Sequence, residues 1–317
     1  MNLTPKKKAF TLLEVIFVIV ILGIVASIGS SIIVQLYENY IVQRAMHRVS
    51  LKTELAANQI MTRLMYRIDS SVITRDVDGN ITVLGDVGYN TSDQTPESIE
   101  WIVYDNDSFS SKARPGWSGY CDTNATLAAG GNTISTPGSA LTFTNTVIGN
   151  LSAGNAKDIT NSALLFSVGG AHISGNSFSQ KAACYGYNGD ASCIHQIAGR
   201  VGTTALTTDN AIATGINISP HYKLAWTAYA IVPVNIRSNK LFDLELRYNY
   251  QPWDGIQYDN AQTSSATLIK NVTSFKFSEQ GGTVRFKLCA TEQIAGQKID
   301  DPNAQNVSIC KEKVVIR

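Results

Sequence analysis

The chain has 317 residues, 16% of them charged, with a net charge of +1. The charged share is well under the quarter, roughly, that soluble domains carry. There is no basic excess of the kind a nucleic-acid surface needs, so charge gives no indication of a nucleic-acid partner. The length allows one large domain or two small ones around a buried core.

The first nine residues end in Lys6, Lys7, Lys8 and Ala9. Phe10, Thr11, Leu12, Leu13 and Glu14 follow, and no charge occurs from Val15 to Val34. Such a run is long enough to cross a bilayer as a helix, which takes about 20 residues. The three lysines before it hold the N-terminus in the cytoplasm and send the rest across. A cleavable secretory signal is the competing reading, with Ala26 to Gly29 as its small-residue site. Against it, apolar residues continue through Ile32, Ile33 and Val34 and a helical pattern follows. Glu14 is the oddity. A carboxylate in a membrane helix costs roughly 2.5–3.5 kcal/mol at the centre and less toward the interface. It snorkels to the headgroups, caps the helix N-terminus, where negative charge is favoured, or has a partner.

Past Val34, the positions Val42, Ala45, Met46, Val49, Ala56, Ile60, Leu64 and Ile68 recur at three- and four-residue steps. No proline occurs from Lys6 to Gln94. The pattern predicts one helix from about Phe10 to about Asp69, with an amphipathic second half that lies against a head domain.

The string Lys6 to Val15 resembles the class III signal of type IV pilins and type II secretion pseudopilins. Ala9 stands where Gly is commonest. The resemblance implies a cut between Ala9 and Phe10 by a prepilin peptidase, N-methylation of Phe10, and a role for Glu14 in assembly. In that role the amine of one subunit meets the carboxylate of its neighbour and fixes register, because a buried unpaired charge is strongly disfavoured. The implied partners are other pilin subunits, the peptidase and the inner membrane, and the implied head is periplasmic. Nucleic acid enters only as the cargo of an uptake pilus.

From Arg75 to about Pro220 the chain is rich in Asn, Ser, Thr, Gly and Ala. The runs Ile99–Tyr104, Leu141–Thr144 and Ala163–Val168 read as strands between polar loops, and disorder is the alternative for Gly130–Ala156. Tyr222–Ile236, Leu241–Tyr250, Asn271–Phe277, Thr283–Ala290 and Lys313–Arg317 read as an antiparallel meander. Turn signals stand at Arg237–Lys240 and Glu279–Gly282. The segment from Leu268 to Phe277 and the strand after it resemble PilW-type minor pilins and J-type minor pseudopilins.

The expected fold is α+β, a long N-terminal helix packed on an antiparallel sheet. The expected division is 1–9 leader, 10–34 membrane half-helix, 35–74 amphipathic half-helix, 75–220 polar β/loop region and 221–317 meander.

Five cysteines lie beyond the membrane segment, and an oxidising compartment favours disulfides there. One left over permits fifteen two-bridge patterns, five odd residues times three pairings. Nearness in sequence favours Cys184 with Cys193 and Cys289 with Cys310, leaving Cys121. Asp76 to Asn80 resembles part of a calcium loop but has Gly79 in the wrong place and no Glu at the right distance after it, so a tight turn is the better reading. Asn80 and Asn124 stand in acidic-x-Asn-x-Thr acceptor patterns, which chance explains in so Asn- and Thr-rich a chain. Cys193 and His195 are close in sequence, which does not make a catalytic pair. No catalytic signature, metal set or cofactor motif stands out. The reading is a non-catalytic filament subunit. A tip adhesin or uptake module and an anchored periplasmic enzyme are its rivals.

Overall fold

A computed structural model describes residues 11–68, 71–86, 97–110, 114–152, 156–166, 183–211, 219–294 and 306–316. The leader residues, with Lys6, Lys7, Lys8, Ala9 and Phe10, lie outside the described residues. So do Asp69 and His172.

One helix, α1 (Leu12–Leu64), runs for 53 residues, about 80 Å at 1.5 Å per residue. Among the described residues of the head, three short α-helices follow: α2 (Asn106–Ser110), α3 (Thr123–Ala128) and α4 (Leu141–Leu151). The strands are β1 (Ile73–Arg75), β2 (Ile81–Val83), β3 (Ser98–Val103), β4 (Thr133–Ser135), β5 (Ala163–Phe166), β6 (His195–Val201) and β7 (Ala205–Thr208). They continue with β8 (Tyr222–Ala225), β9 (Thr227–Val234), β10 (Phe242–Tyr250), β11 (Ser264–Gln280), β12 (Thr283–Gln293) and β13 (Asn306–Val315). The fold is α+β, as the sequence pattern predicts.

The strands form an eight-stranded sheet, ordered β13-β12-β11-β10-β9-β3-β1-β2, and a five-stranded sheet, ordered β4-β7-β6-β5-β8. Every described pairing is antiparallel. The layers follow from three clusters of buried side chains. Val49, Ala56, Ile60 and Leu64 of α1 pack with Trp101, Phe277, Phe286 and Leu288 of the large sheet. The opposite face of that sheet meets the small sheet through Ile102, Ala228, Ala230, Ala163 and Leu165. The far face of the small sheet is covered by Leu141 and Ile148 of α4. Because β3 is covered on both faces, all six of its residues are buried.

Several sequence expectations need correction. The helix ends at Leu64, short of Asp69 and of the boundary at residue 74. There the backbone is taken over by the sheet: Ile68 N donates to Ile102 O at 2.9 Å and Tyr104 N to Tyr66 O at 3.0 Å. Leu141–Thr144 is the first turn of α4, not a strand. Within Gly130–Ala156, for which disorder is the alternative, the described residues hold β4 and α4, and residues 153–155 lie outside the described residues. The run Tyr222–Ile236 divides at Trp226, with β8 joining the small sheet and β9 the large one. The last strand begins at Asn306, well before Lys313. The 75–220 stretch is not separate from the meander, since β3 pairs directly with β9.

The turns are where the sequence places them. Gln280 faces Thr283 across Gly281 and Gly282, whose φ values are +59° and +78°. Such a two-residue hairpin needs positive φ at both positions. Between β1 and β2, the Asp76 carboxylate accepts from the backbone N of Asp78 and Asn80 and from Asn80 Nδ2. These bonds hold its carboxylate below the usual range and use it as a turn former.

Candidate assembly helix

The candidate site is α1 itself. Its start is a reciprocal cap. Thr11 Oγ1 accepts from Glu14 N at 3.4 Å, and the Glu14 carboxylate accepts from Thr11 N at 3.4 Å and from Thr11 Oγ1 at 3.3 Å. Thr-x-x-Glu is a readable capping signal. Glu14 thus has a local use in the single chain: it satisfies backbone donors that a helix start leaves open.

From Leu12 to about Tyr40 nothing among the described residues covers the helix. Its apolar side chains are exposed on every face, and the helix is long and apolar enough to cross a membrane. A helix apolar all round needs an apolar environment, and the described residues supply none for this one.

From Ala45 onward one face is buried: Ala45, Val49, Thr53, Ala56, Ala57, Ile60 and Leu64. Thr53 and Ala57 were not singled out in the sequence. The Thr53 hydroxyl donates to Val49 O at 2.7 Å, which lets a polar residue sit in the seam. Polar contacts flank it. Lys52 Nζ meets Glu292 at 2.7 Å, and Glu54 meets Lys313 at 2.5 Å and Lys311 at 3.5 Å. The hydrogen bond from Lys313, ahead of the charges of Lys313 and Lys311, holds the Glu54 carboxylate below its usual range. At the end of the helix, buried Arg67 donates to Leu64 O, Gly282 O and Val315 O. It ties the helix exit to the β11–β12 turn and to the end of β13.

The cysteines pair as Cys184–Cys193 and Cys289–Cys310, with Cys121 free and buried. Cys289 and Cys310 face each other across β12 and β13, so the bridge fastens the outermost strand under α1. Cys193 is in a disulfide and is not a nucleophile. His195 instead packs edge-on against Phe166. The Cys121 thiol is pushed up by burial and lies 3.4 Å from Thr126 Oγ1. The Thr126 hydroxyl is buried and accepts from Ser135 N, which commits it within the second acceptor pattern.

One buried charged pair lies away from α1. Glu100 accepts from Arg75 Nε at 2.7 Å and from Tyr250 Oη at 3.2 Å. Burial raises the Glu100 pKa and Arg75 opposes the rise. Arg75 also donates to Gln257 Oε1 at 3.0 Å. The cluster joins β1, β3, β10 and the following loop, a structural tie. Among the described residues, no group of three or more His, Cys, Asp or Glu is placed to hold a metal.

With this geometry in hand, comparison with known proteins adds one finding. Residues 4–30 match the prokaryotic N-terminal methylation motif. No curated protein and no solved structure matches the chain. The N-terminal segment therefore carries the class III signal of type IV pilins, and the helix behind it has the form that signal requires. The match is confined to this segment, where the chain is type IV pilin-like.

Proposed function

We propose that the chain is a minor pilin or pseudopilin, a non-catalytic subunit of a type IV pilus or type II secretion-like filament. The observation that carries the reading is the division of α1. Its first half is apolar and uncovered, and its second half is seated on the head. Before assembly the first half spans the inner membrane, with Lys6, Lys7 and Lys8 in the cytoplasm and the head in the periplasm. The peptidase cuts between Ala9 and Phe10 and Phe10 is methylated. After extraction, the same half packs with other subunits. The large head suits a tip position, where nothing must stack beyond it, and the two disulfides suit an oxidising compartment.

Glu14 then has two uses. In the single chain it caps its own helix through bonds of 3.3–3.4 Å, which are long and easily given up. In the filament it faces the Phe10 amine of a neighbour, and a misregistered subunit leaves a charge buried and unpaired. Glu14→Ala is expected to be inserted and trimmed normally but to be missing from sheared filaments or from the filament-tip complex. Normal incorporation of this variant would remove the register role.

A further inference from the structure

The head-borne half of α1 has a second face, which the head does not touch. Leu51 and Leu55 are 53% and 58% exposed, and Arg44 and Arg48 are exposed beside them. At about 3.6 residues per turn these four share an arc roughly 60° wide, opposite Val49, Ala56 and Ile60. Lipid does not reach this far. If Val15–Val34 fills the hydrocarbon, Leu51 stands about 26 Å beyond it along the helix, and the headgroup layer adds only about 5–8 Å on each side. The apolar pair needs protein for its cover.

Charge narrows the choice of protein. Arg44, Arg48 and Lys52 follow one another at four-residue steps, a ladder of like charges that repel. Lys52 is answered by Glu292. Arg44 and Arg48 have no ion-pair partner among the described residues. A second copy of this chain is a poor match. The carboxylates of α1 are Glu14, Glu38 and Glu54. Glu14 lies in the membrane half, Glu54 is taken by Lys311 and Lys313, and Glu38 is one carboxylate for two arginines.

Building on the filament-subunit reading, we propose that the face formed by Arg44, Arg48, Leu51 and Leu55 docks a helix of a different subunit. That helix runs beside α1 and presents apolar residues with carboxylates spaced four apart. The arginines make the pairing heterotypic: they accept an acidic neighbour and reject a second copy.

The test places a photo-crosslinking amino acid at Leu51 in the full-length chain, in cells that make the whole machine, and identifies the adduct by mass spectrometry. Peptidase trimming is followed in the same samples. The expected adduct joins a different chain at a helical site with paired carboxylates. Arg44→Glu with Arg48→Glu lowers its yield about tenfold or more, and Arg44→Lys with Arg48→Lys retains it. Changing the captured helix's carboxylates to Arg restores it to the charge-reversed variant. An adduct with a second copy, an adduct with phospholipid, indifference to charge reversal, or no adduct overturns the proposal. Normal trimming in such a result defeats this inference alone, whereas absent trimming defeats the filament-subunit reading itself.

Discussion

Lys313, on the outermost strand β13, reaches Glu54 in the seated half of α1 at 2.5 Å. Three residues earlier on the same strand, Cys310 is bonded to Cys289 of β12. The strand that holds the helix is therefore itself held by a covalent bond, and the coupling of helix to head depends on both.

The ion pair contributes modestly, because it is partly open to solvent and screened by salt. Glu54→Gln is expected to lower the melting temperature slightly at low ionic strength, with the difference shrinking in high salt. The folded-state pKa of Glu54 is depressed from its ordinary value of 4.5. Its contribution is thus present above pH 4.5 and is lost as pH falls through the lower folded value. A melting difference from wild type that is unchanged by salt would contradict this account.

The disulfide matters more. Its cysteines are 21 residues apart, and closing a loop of that size is worth about 3 kcal/mol in the chain-entropy model. Cys289→Ala with Cys310→Ala is expected to cost about that much in denaturant unfolding. Hydrogen exchange should rise first in β13 and in the 45–64 part of α1, and least in β9 and β10. Uniform loosening of the whole sheet would show that the bridge does not specifically hold the helix seat.

The two faces of α1 predict opposite responses. Ile60 is fully buried between helix and sheet, so Ile60→Ala is expected to cost about 2–5 kcal/mol. Leu55→Ala, on the uncovered face, should fall within about 0.5 kcal/mol of wild type. Denaturant melts of the two variants, monitored by circular dichroism, check the pair. Equal losses would mean that the helix is seated differently.

Asp105 gives the head an acid-side gain. Burial pushes its pKa up to about 6, against the opposing hydrogen bonds from Ser108. A raised carboxyl pKa means that the folded state binds the proton more tightly. The charged form therefore costs stability above pH 6, and the cost is relieved as pH falls from about 6 toward 4. Two units correspond to about 3 kcal/mol at most. Wild type is expected to melt higher at pH 5 than at pH 7, and Asp105→Asn to lose most of that gain. An unchanged gain in the variant would assign it to another group, such as buried Glu100.

The N-terminal half of this architecture was legible because it depends on one-dimensional signals. Charge before an apolar run, Glu14 at a fixed distance and the three-and-four spacing through Leu64 need no knowledge of distant residues. The meander was legible for the same reason, since Gly281 and Gly282 mark the turn and apolar residues mark the strands. The middle was not. Leu141–Thr144 is too short an apolar run to distinguish a strand from a helix start, and α4 is fixed by the small sheet it covers. The end of α1 was misplaced because Tyr66 and Ile68 exchange helical bonds for bonds to the ends of β3, a long-range choice. Within the helix, the burial of Thr53 in the seam is hidden by its polarity, and Glu14 reads as a cap while its reciprocal partner Thr11 does not stand out.

The most direct test of the central claim is the intact mass and N-terminal sequence of the membrane-extracted protein, from cells with and without the prepilin peptidase. The expected chain begins at N-methylated Phe10 when the peptidase is present and keeps the full leader when it is absent. A chain that keeps Lys6, Lys7 and Lys8 in both strains, or is cut near Gly29, would contradict it.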